Sequence, residues 1–321
     1  MTVRSEQMSR QAAMADSYHF LSPYLDPDVP SDWLRGNHHG HSTLSDGHET
    51  PQQLIDAYEA AGYQYLALSE HDLFVDPEDY PQATLCLLPA VEVSSDRGQT
   101  LMHLGARTAL PARQLTAPQI LQAVEAGGGL FVFDHPNWTP FPDYATDELL
   151  LSMEGLRGME IYCGVIERLS GVALATDRWD RLLSAGRRVW GHATDDQHDE
   201  ADRFIGWNRV QWPQGRSVDA VGIVEALAAG RFTASTGVRI DAVGVSNGTA
   251  YVTSNAEQVR WIVNGGVILK KDAGGDSTLS VAEILAAPLG DMNRGEIYAR
   301  AECYGRGAAM GWSQPFWLEK R

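Results

Sequence analysis

Cysteine is scarce in this chain, and long apolar runs are missing. The three cysteines, Cys86, Cys163 and Cys303, are odd in number and far apart, which favours reduced thiols over a disulfide framework. No apolar stretch approaches the roughly 20 residues that cross a bilayer, and the polar segment from Met1 to Asp16 lacks the apolar core of a secretory signal. We therefore expect a cytoplasmic protein that does not enter a membrane.

Basic residues are also in short supply. Lysine and arginine number 25 against 42 aspartates and glutamates, which gives a formal net charge of −17. Proteins that bind nucleic acids normally carry a basic patch, and none is visible in this sequence. The charge balance favours a small-molecule substrate over a nucleic-acid polymer.

Histidine, in contrast, is concentrated in a chemically informative pattern. His39 and His41 are two residues apart, and Asp46 follows five residues later. Residues two apart on a strand point to the same face, so both imidazoles can bind one cation if the segment from Leu34 to His41 is extended. The loop that follows can return Asp46 to the same place.

Histidine or a carboxylate recurs where further apolar runs end. These ends are Glu70-His71-Asp72, Glu92, His103, Asp134-His135 and Asp195-Asp196-Gln197-His198. Helix starts lie between the runs: Thr50 and Thr116 each precede a helical segment with proline in its first turn and glutamine three residues after the cap. Alternating strands and helices predict a parallel sheet, whose carboxyl ends would bring the polar side chains together.

The sequence changes character near Val238. Beyond it the helical signatures give way to short β-segments, with hairpin-turn signals at Asn247-Gly248 and Asn264-Gly265. The chain also exceeds what one core usually holds. We expect an N-terminal arm at residues 1–33, an α/β domain at 34–237 and a small β-sandwich-like domain at 238–321. The last of these would cover one side of the α/β domain or form a homo-oligomer interface.

From Leu34 to His198 the motifs resemble those of the polymerase and histidinol phosphatase (PHP) superfamily. They are His39-Gly40-His41 with Ser45-Asp46-Gly47, Ser69-Glu70-His71-Asp72, Pro89-Ala90-Val91-Glu92, His103, Asp134-His135-Pro136 and Asp195-Asp196-Gln197-His198, in that order. The segments from Trp179 to Leu183 and from Arg231 to Gly237 resemble the branch that includes carbaryl-hydrolase-like metallohydrolases.

The resemblance implies a distorted seven-stranded (β/α)7 barrel that holds two or three divalent cations. A first cation would be bound by His39, His41, Glu92 and Asp196; a second by His103 and His135 with Glu92 bridging; a third by Asp46, His71 and His198. Glu92, Asp196 and His198 would also be the catalytic side chains. Imidazoles mixed with carboxylates suit manganese, zinc or iron.

Three positions depart from the common pattern of the superfamily. Asn37 and Glu70 stand where many relatives have aspartate, and we expect them to orient ligands rather than to bind a cation. Cys163 stands where a polar residue is expected, which leaves the contribution of the Glu160 strand to substrate binding open.

The expected activity is hydrolysis of a small phosphate ester by hydroxide that the cations supply. Arg97, Arg178 and Arg203 lie near the motifs in sequence and could bind a phosphate, although surface solvation explains each arginine equally well. Two alternatives stay open: hydrolysis of a carbamate, ester or amide at the same cluster, and a regulatory module that binds metal without turnover.

Overall fold

Three β-sheets flanked by short helices make up the described part of the chain. The computed structural model describes residues 17–139, 144–287 and 296–321. Over these ranges the sheets contain eleven, five and three strands, which confirms a mixed α/β protein with a sheet-rich part. None of the described helices reaches the length and apolar character that a membrane crossing demands.

The strands are numbered along the chain. They are β1 Tyr18–Leu21, β2 Ser31–Asn37, β3 Tyr65–Ala67, β4 Cys86–Leu88, β5 Ala90–Ser94, β6 Thr100–Leu104, β7 Leu130–Phe133, β8 Gly158–Cys163, β9 Trp190–Thr194, β10 Trp207–Pro213, β11 Phe232–Ser235, β12 Ile240–Ser246, β13 Thr249–Ser254, β14 Gln258–Val263, β15 Val267–Ala273, β16 Asp276–Ser280, β17 Ile297–Tyr304, β18 Met310–Trp312 and β19 Phe316–Lys320. The helices are α1 Pro51–Ala60, α2 Ala117–Ala126, α3 Asp147–Ser152, α4 Thr176–Ser184, α5 Ala220–Ala228 and α6 Val281–Ala286.

The five-stranded sheet has the order β5-β6-β7-β8-β9. Strands β7, β8 and β9 are parallel, but β6 runs antiparallel to both β5 and β7. The prediction of an all-parallel sheet was therefore wrong. The short turn from Ser95 to Gln99 explains part of the difference, because antiparallel strands can be joined by a tight turn whereas parallel strands need a long crossover.

The largest sheet has the order β1-β19-β17-β18-β11-β10-β2-β3-β4, with β14 beside β17 and β15 beyond it. No ladder in the described ranges closes the two larger sheets into a barrel. Single bridges connect them instead: Gly40, after β2, pairs with Gln197, after β9, and His71, after β3, pairs with Glu92 in β5. Both bridges involve segments that carry predicted ligands.

Helix starts follow the sequence pattern closely. Thr50 and Thr116 each form a capping box with the glutamine three residues later, and each helix has proline in its first turn. The apolar faces of α1 and α2 are buried against the sheets. Helix α1 follows the loop that carries Asp46, and helix α2 precedes β7, the strand before His135.

The carboxyl-terminal part contains the predicted hairpins. Asn247 and Gly248 both have positive φ, 49° and 73°, in the turn between β12 and β13. This hairpin also contains the spacing Gly-x-Ser-x-Gly, from Gly244 to Gly248, but it joins two antiparallel strands and is not the strand-to-helix turn of a hydrolase nucleophile.

The predicted domain limits do not coincide with sheet edges. Strand β2 spans the limit at residue 33, and the largest sheet continues from β11 to β18 across residue 238. Trp312 and Trp317 are buried in the same core cluster as Trp179 of α4. The two tryptophans therefore pack into a core that both parts of the chain share, while the division into domains stays a prediction.

Candidate metal centre

The candidate site begins where β2 ends. His39 and His41 follow the strand and are fully buried. The His41 backbone N–H donates to the Gln197 carbonyl at 2.9 Å, and the Asp196 N–H donates to the His39 carbonyl at 3.1 Å. These two bonds hold the ends of β2 and β9 side by side, although the strands belong to different sheets.

Glu92 lies at the centre of the site. Its carboxylate is 1% exposed, and its Oε2 lies 3.3 Å from His39 Nε2, 3.1 Å from His41 Nε2 and 3.1 Å from His71 Nδ1. Its other oxygen, Oε1, is 3.5 Å from His135 Nε2. One carboxylate thus contacts four imidazoles from three separate segments of the chain.

Asp196 is the fourth residue of the first group of candidate ligands. Its Oδ1 lies 3.2 Å from Nε2 of both His39 and His41, and its Oδ2 lies 3.8 Å from His135 Nε2. His39, His41, Glu92 and Asp196 bring one ligand atom each within 4.8 Å of one another. This is the set predicted for the first cation.

A second group lies towards the surface. Asp46 Oδ2 is 3.4 Å from His71 Nε2, and its Oδ1 is 3.4 Å from His198 Nε2. His41 Nδ1 is 3.8 Å from Asp46 Oδ1, so this imidazole touches both groups. Asp46 is 54% exposed, which places it at the mouth of the site. Asp46, His71 and His198 are the residues predicted for a third cation.

The buried atoms of the first group suit a cation. Among the described residues, His39 Nε2, His41 Nε2, Asp196 Oδ1 and both oxygens of Glu92 have no hydrogen-bond partner. Burying such atoms unpaired is costly, and here Nε2 of each histidine lies 3.1 to 3.3 Å from Glu92 Oε2 and Asp196 Oδ1. One divalent cation would satisfy these imidazole and carboxylate atoms together.

The charges of the cluster favour the same conclusion. The charge of Glu92 raises the pKa of His71 to about 9 despite burial, with help from Asp46. Burial lowers the pKa of His198, but the hydrogen bond to Asp46 and the charge of Asp196 outweigh it and raise the pKa to about 9. Burial opposes ionisation of Glu92, yet nearby imidazoles hold its pKa well below the usual range. Protonated His71 and His198 thus offset the negative charge of the nearby carboxylates, a role that a bound cation could take over.

Neighbouring side chains hold the ligand loops. Asn37 accepts the His39 backbone N–H at 3.0 Å through Oδ1 and donates to the Gly206 carbonyl at 3.0 Å. Glu70 accepts the Ser42 N–H at 3.0 Å and also the hydroxyl of Ser45. Asn37 and Glu70 therefore position the segments that carry His39 and Asp46, as residues that orient ligands do.

Three of the six described non-glycine residues with positive φ lie at or beside the site. Among non-glycine residues, His135 has a φ of 27°, Asp196 of 51° and Asp72 of 54°. Left-handed conformations cost these residue types free energy and persist where the surrounding structure enforces them. Gly47 has a different requirement, since a Cβ there would lie 2.3 Å from the His41 carbonyl oxygen. Glycine thus permits the close turn beside Asp46.

The structure does not bring His103 into the cluster. A Cβ built on Gly129 would lie 2.9 Å from the His103 ring, which places this imidazole against β7 near the Gly129 turn. Because β6 is antiparallel, its first residue, Thr100, lies at the site, where the hydroxyl is 3.2 Å from His135 Nε2. Residues three apart on a strand face opposite sides. The predicted second set thus retains His135 beside Glu92 but not His103.

The three arginines also lie away from the cluster. Arg178 donates to Asn137 and Asp147, and Arg203 pairs with Glu49 and Glu200. Arg97 is exposed in the turn after β5. None of these arginines lines the cavity above the candidate ligands.

That cavity has a volume of about 200 Å³. Its polar wall consists of ligand side chains and Thr100, and its apolar wall consists of Trp138, Val165, Ile166 and Leu169. Lysine and arginine are absent from the lining that the described residues provide. The opening therefore suits a small group that approaches the cluster from an apolar side.

Sequence reasoning missed Glu160 and Asp134. Both are buried, and one atom each of His39, Asp134 and Glu160 lie within 4.8 Å of one another. A charge inside the buried run of β8 was the available signal for Glu160, because such a charge is costly unless it is paired. Its His39 contact is 2.8 Å long.

The comparisons with known proteins give structural neighbours only. No protein-family model matches the sequence, and no curated protein does. A two-domain protein from Bacteroides vulgatus that contains a predicted PHP-like metal-dependent phosphoesterase has a similar structure, with a TM-score of 0.51 and 17% identity over 80% of this chain and 86% of the other. At that identity the match shows a shared fold.

Two further structures have lower scores. A candidate metal-dependent phosphoesterase from Bifidobacterium adolescentis has a TM-score of 0.44 and 15% identity over 60% of this chain and 96% of its own. An amidohydrolase from Chromobacterium violaceum, solved with sulfate and without metal, has a TM-score of 0.42 and 14% identity over the same shares, 60% and 96%.

Proposed function

We propose that this protein is a metal-dependent hydrolase that acts on a small phosphate ester. The observation that carries the proposal is the convergence of His39, His41, Glu92 and Asp196, whose buried ligand atoms lack hydrogen-bond partners among the described residues. Asp46, His71 and His198 adjoin them at the mouth of the cavity. The two groups combine residues that follow β2, β3 and β9 with Glu92 of β5, and an ordinary ion-pair network does not require such convergence.

The two groups of ligands would hold two divalent cations, with His135 beside the first group. Bound there, manganese, zinc or iron would supply a hydroxide nucleophile at neutral pH and positive charge against the developing oxyanion. Glu92 would hold both groups together, since its Oε2 contacts imidazoles of each. The superfamily resemblance adds Asp196 and His198 as catalytic side chains.

The chain's own side chains would bind and orient the substrate from the other side. Trp138, Ile166 and Leu169 would exclude water from the leaving group, because they form the apolar wall of the cavity. The volume of about 200 Å³ would admit only the reacting part of a substrate. A metabolite-sized ester fits these limits, whereas the net charge of −17 opposes a polyanion.

A second candidate activity is hydrolysis of a carbamate, ester or amide. The lining of the cavity by the described residues offers no lysine or arginine for a phosphate, and four of its residues are apolar. A neutral acyl substrate would suit such a wall. Because metal-activated hydroxide can attack either a carbonyl or a phosphorus centre, the fold of the B. vulgatus neighbour does not decide between them.

A set of three substrates with one leaving group tests the proposal. Initial rates would be measured for p-nitrophenyl phosphate, p-nitrophenyl acetate and a p-nitrophenyl carbamate on protein reconstituted with manganese or zinc. We expect phosphate cleavage that needs the metal, is lost in His39→Ala and survives in His19→Ala, a histidine on β1 outside the cluster. Cleavage of the carbonyl substrates alone would select the second activity. Metal binding without turnover of any substrate would favour a regulatory module.

A further inference from the structure

We propose that Glu160 is a positioning residue that aims two candidate ligands, His39 and His135, at the cation cluster. The inference rests on the proposed function, because it concerns how the cluster is held. Glu160 lies within β8 and is 1% exposed. It was not among the predicted ligands, and it contacts the ligand residues from beneath rather than from the cavity.

The Glu160 carboxylate contacts three segments of the site. Its Oε1 lies 2.8 Å from His39 Nδ1, and its Oε2 accepts the His135 backbone N–H at 2.7 Å. The hydroxyl of Thr194 also donates to Oε1. His39 follows β2 of the largest sheet, whereas His135 follows β7 and Thr194 ends β9, both strands of the five-stranded sheet. Glu160 therefore joins the two sheets at the point where the ligands meet.

The contact with His39 determines which ring nitrogen is free. An ionised carboxylate only accepts hydrogen bonds, so His39 must carry its proton on Nδ1. The lone pair is then on Nε2, which faces Glu92 Oε2 at 3.3 Å and Asp196 Oδ1 at 3.2 Å. Ligand histidines commonly depend on such a second contact for their tautomer and ring orientation.

The contact with His135 stabilises a strained backbone. His135 has a φ of 27°, a conformation that a residue with a Cβ adopts only under constraint. The bond from its N–H to a carboxylate is of the strong, charge-assisted kind. It holds the backbone so that the ring reaches Glu92, with 3.5 Å between Nε2 and Oε1.

Asp134 does not share this role. It is equally buried and close to Glu160, but among the described residues neither of its oxygens has a hydrogen-bond partner. Glu160 is thus the carboxylate whose contacts reach the two ligands.

The test compares Glu160→Gln with Glu167→Gln. Glutamine keeps the shape of Glu160 but replaces one oxygen with an N–H donor, so either His39 Nδ1–H or the His135 N–H must face another donor. We expect zinc and manganese affinities, measured by isothermal titration calorimetry, to fall about 10- to 100-fold in Glu160→Gln. Glu167 is an exposed glutamate just beyond the same strand that accepts a hydrogen bond from the Tyr162 hydroxyl at 3.3 Å, and its substitution should leave both affinities unchanged.

Nuclear magnetic resonance of the zinc-loaded protein separates positioning from general destabilisation. Long-range proton–nitrogen correlation should show a hydrogen-bonded His39 Nδ1–H that exchanges slowly with water in the wild type, and this proton should exchange much faster in Glu160→Gln. If Glu160→Gln does not fold, Glu160→Asp serves instead, since its shorter side chain cannot keep both bonds. Zinc affinity within twofold of wild type in the folded variant, with the His39 Nδ1–H still exchanging slowly, would overturn the inference. Failure of the wild-type protein to bind either zinc or manganese would instead contradict the proposed function.

Discussion

Replacing Glu92 with glutamine is the sharpest perturbation of the cluster. The substitution keeps the size of the side chain but removes the charge that contacts His39, His41 and His71 at 3.1 to 3.3 Å. Contacts to a charged group contribute about 1.5–3 kcal/mol each. Losing one such contact per cation, at about 1.4 kcal/mol for a tenfold change, predicts affinity weaker by about 10- to 100-fold.

The position of Glu92 predicts that both groups lose affinity together. Metal content after dialysis, measured by elemental analysis, should fall for all bound cations in Glu92→Gln. Glu225→Gln is the matched control, because Glu225 is exposed on α5. Loss of only one cation would contradict the shared role, and full retention of metal and turnover would refute the cluster altogether.

The same variant has a readout that needs no metal. The charge of Glu92 is the largest cause of the raised pKa of His71, which is about 9. Removing that charge should lower the pKa of His71 towards the ordinary value for histidine, about 6.5. A proton titration followed by nuclear magnetic resonance would detect the shift, and an unchanged titration would show that the two side chains do not interact as the distances indicate.

Three further predictions follow from the geometry. His103→Ala should leave the number of bound cations unchanged, and a lost cation would return His103 to the ligand set. Metal binding near neutral pH should release protons and weaken as the pH falls, because His71 and His198, both with a pKa of about 9, must lose their protons to bind; identical calorimetric enthalpies in buffers of different ionisation enthalpy would contradict this. Asp180→Ala should lower the free energy of unfolding in urea by about 1.5–3 kcal/mol, because it removes the Asp180 hydrogen bonds from the buried Arg300 guanidinium, which keeps Glu302 at 2.7 Å; a loss below about 0.5 kcal/mol would mean that the Asp180 contact contributes little.

Much of the candidate site could be predicted because most candidate ligands lie at the ends of apolar segments in the sequence. His39, His41 and Asp46 follow one strand, and the helix starts at Thr50 and Thr116 have the residues that capping requires. Such signals are local, since they depend on spacing within a few residues. The convergence of the segments themselves depends on long-range pairing, such as the bridge between Gly40 and Gln197.

The position of His103 and the role of Glu160 could not be predicted, because they depend on strand direction and on side-chain contacts. His103 lies after an apolar run, but its strand is antiparallel, so the amino end of β6 faces the site. Glu160 lies inside a strand, where its role depends on contacts with His39 and His135 that are far away in sequence. The continuous sheet from β11 to β18 likewise depends on long-range pairing. Local patterns cannot specify these features.

Anomalous diffraction from crystals soaked in manganese would test the central claim most directly. We expect one peak among His39, His41, Glu92 and Asp196, another among His41, Asp46, His71 and His198, and no peak at His103. Crystals of Glu92→Gln should show both peaks weakened. Manganese bound only elsewhere on the protein, or no peak at either group in the wild type, would contradict the proposed metal centre.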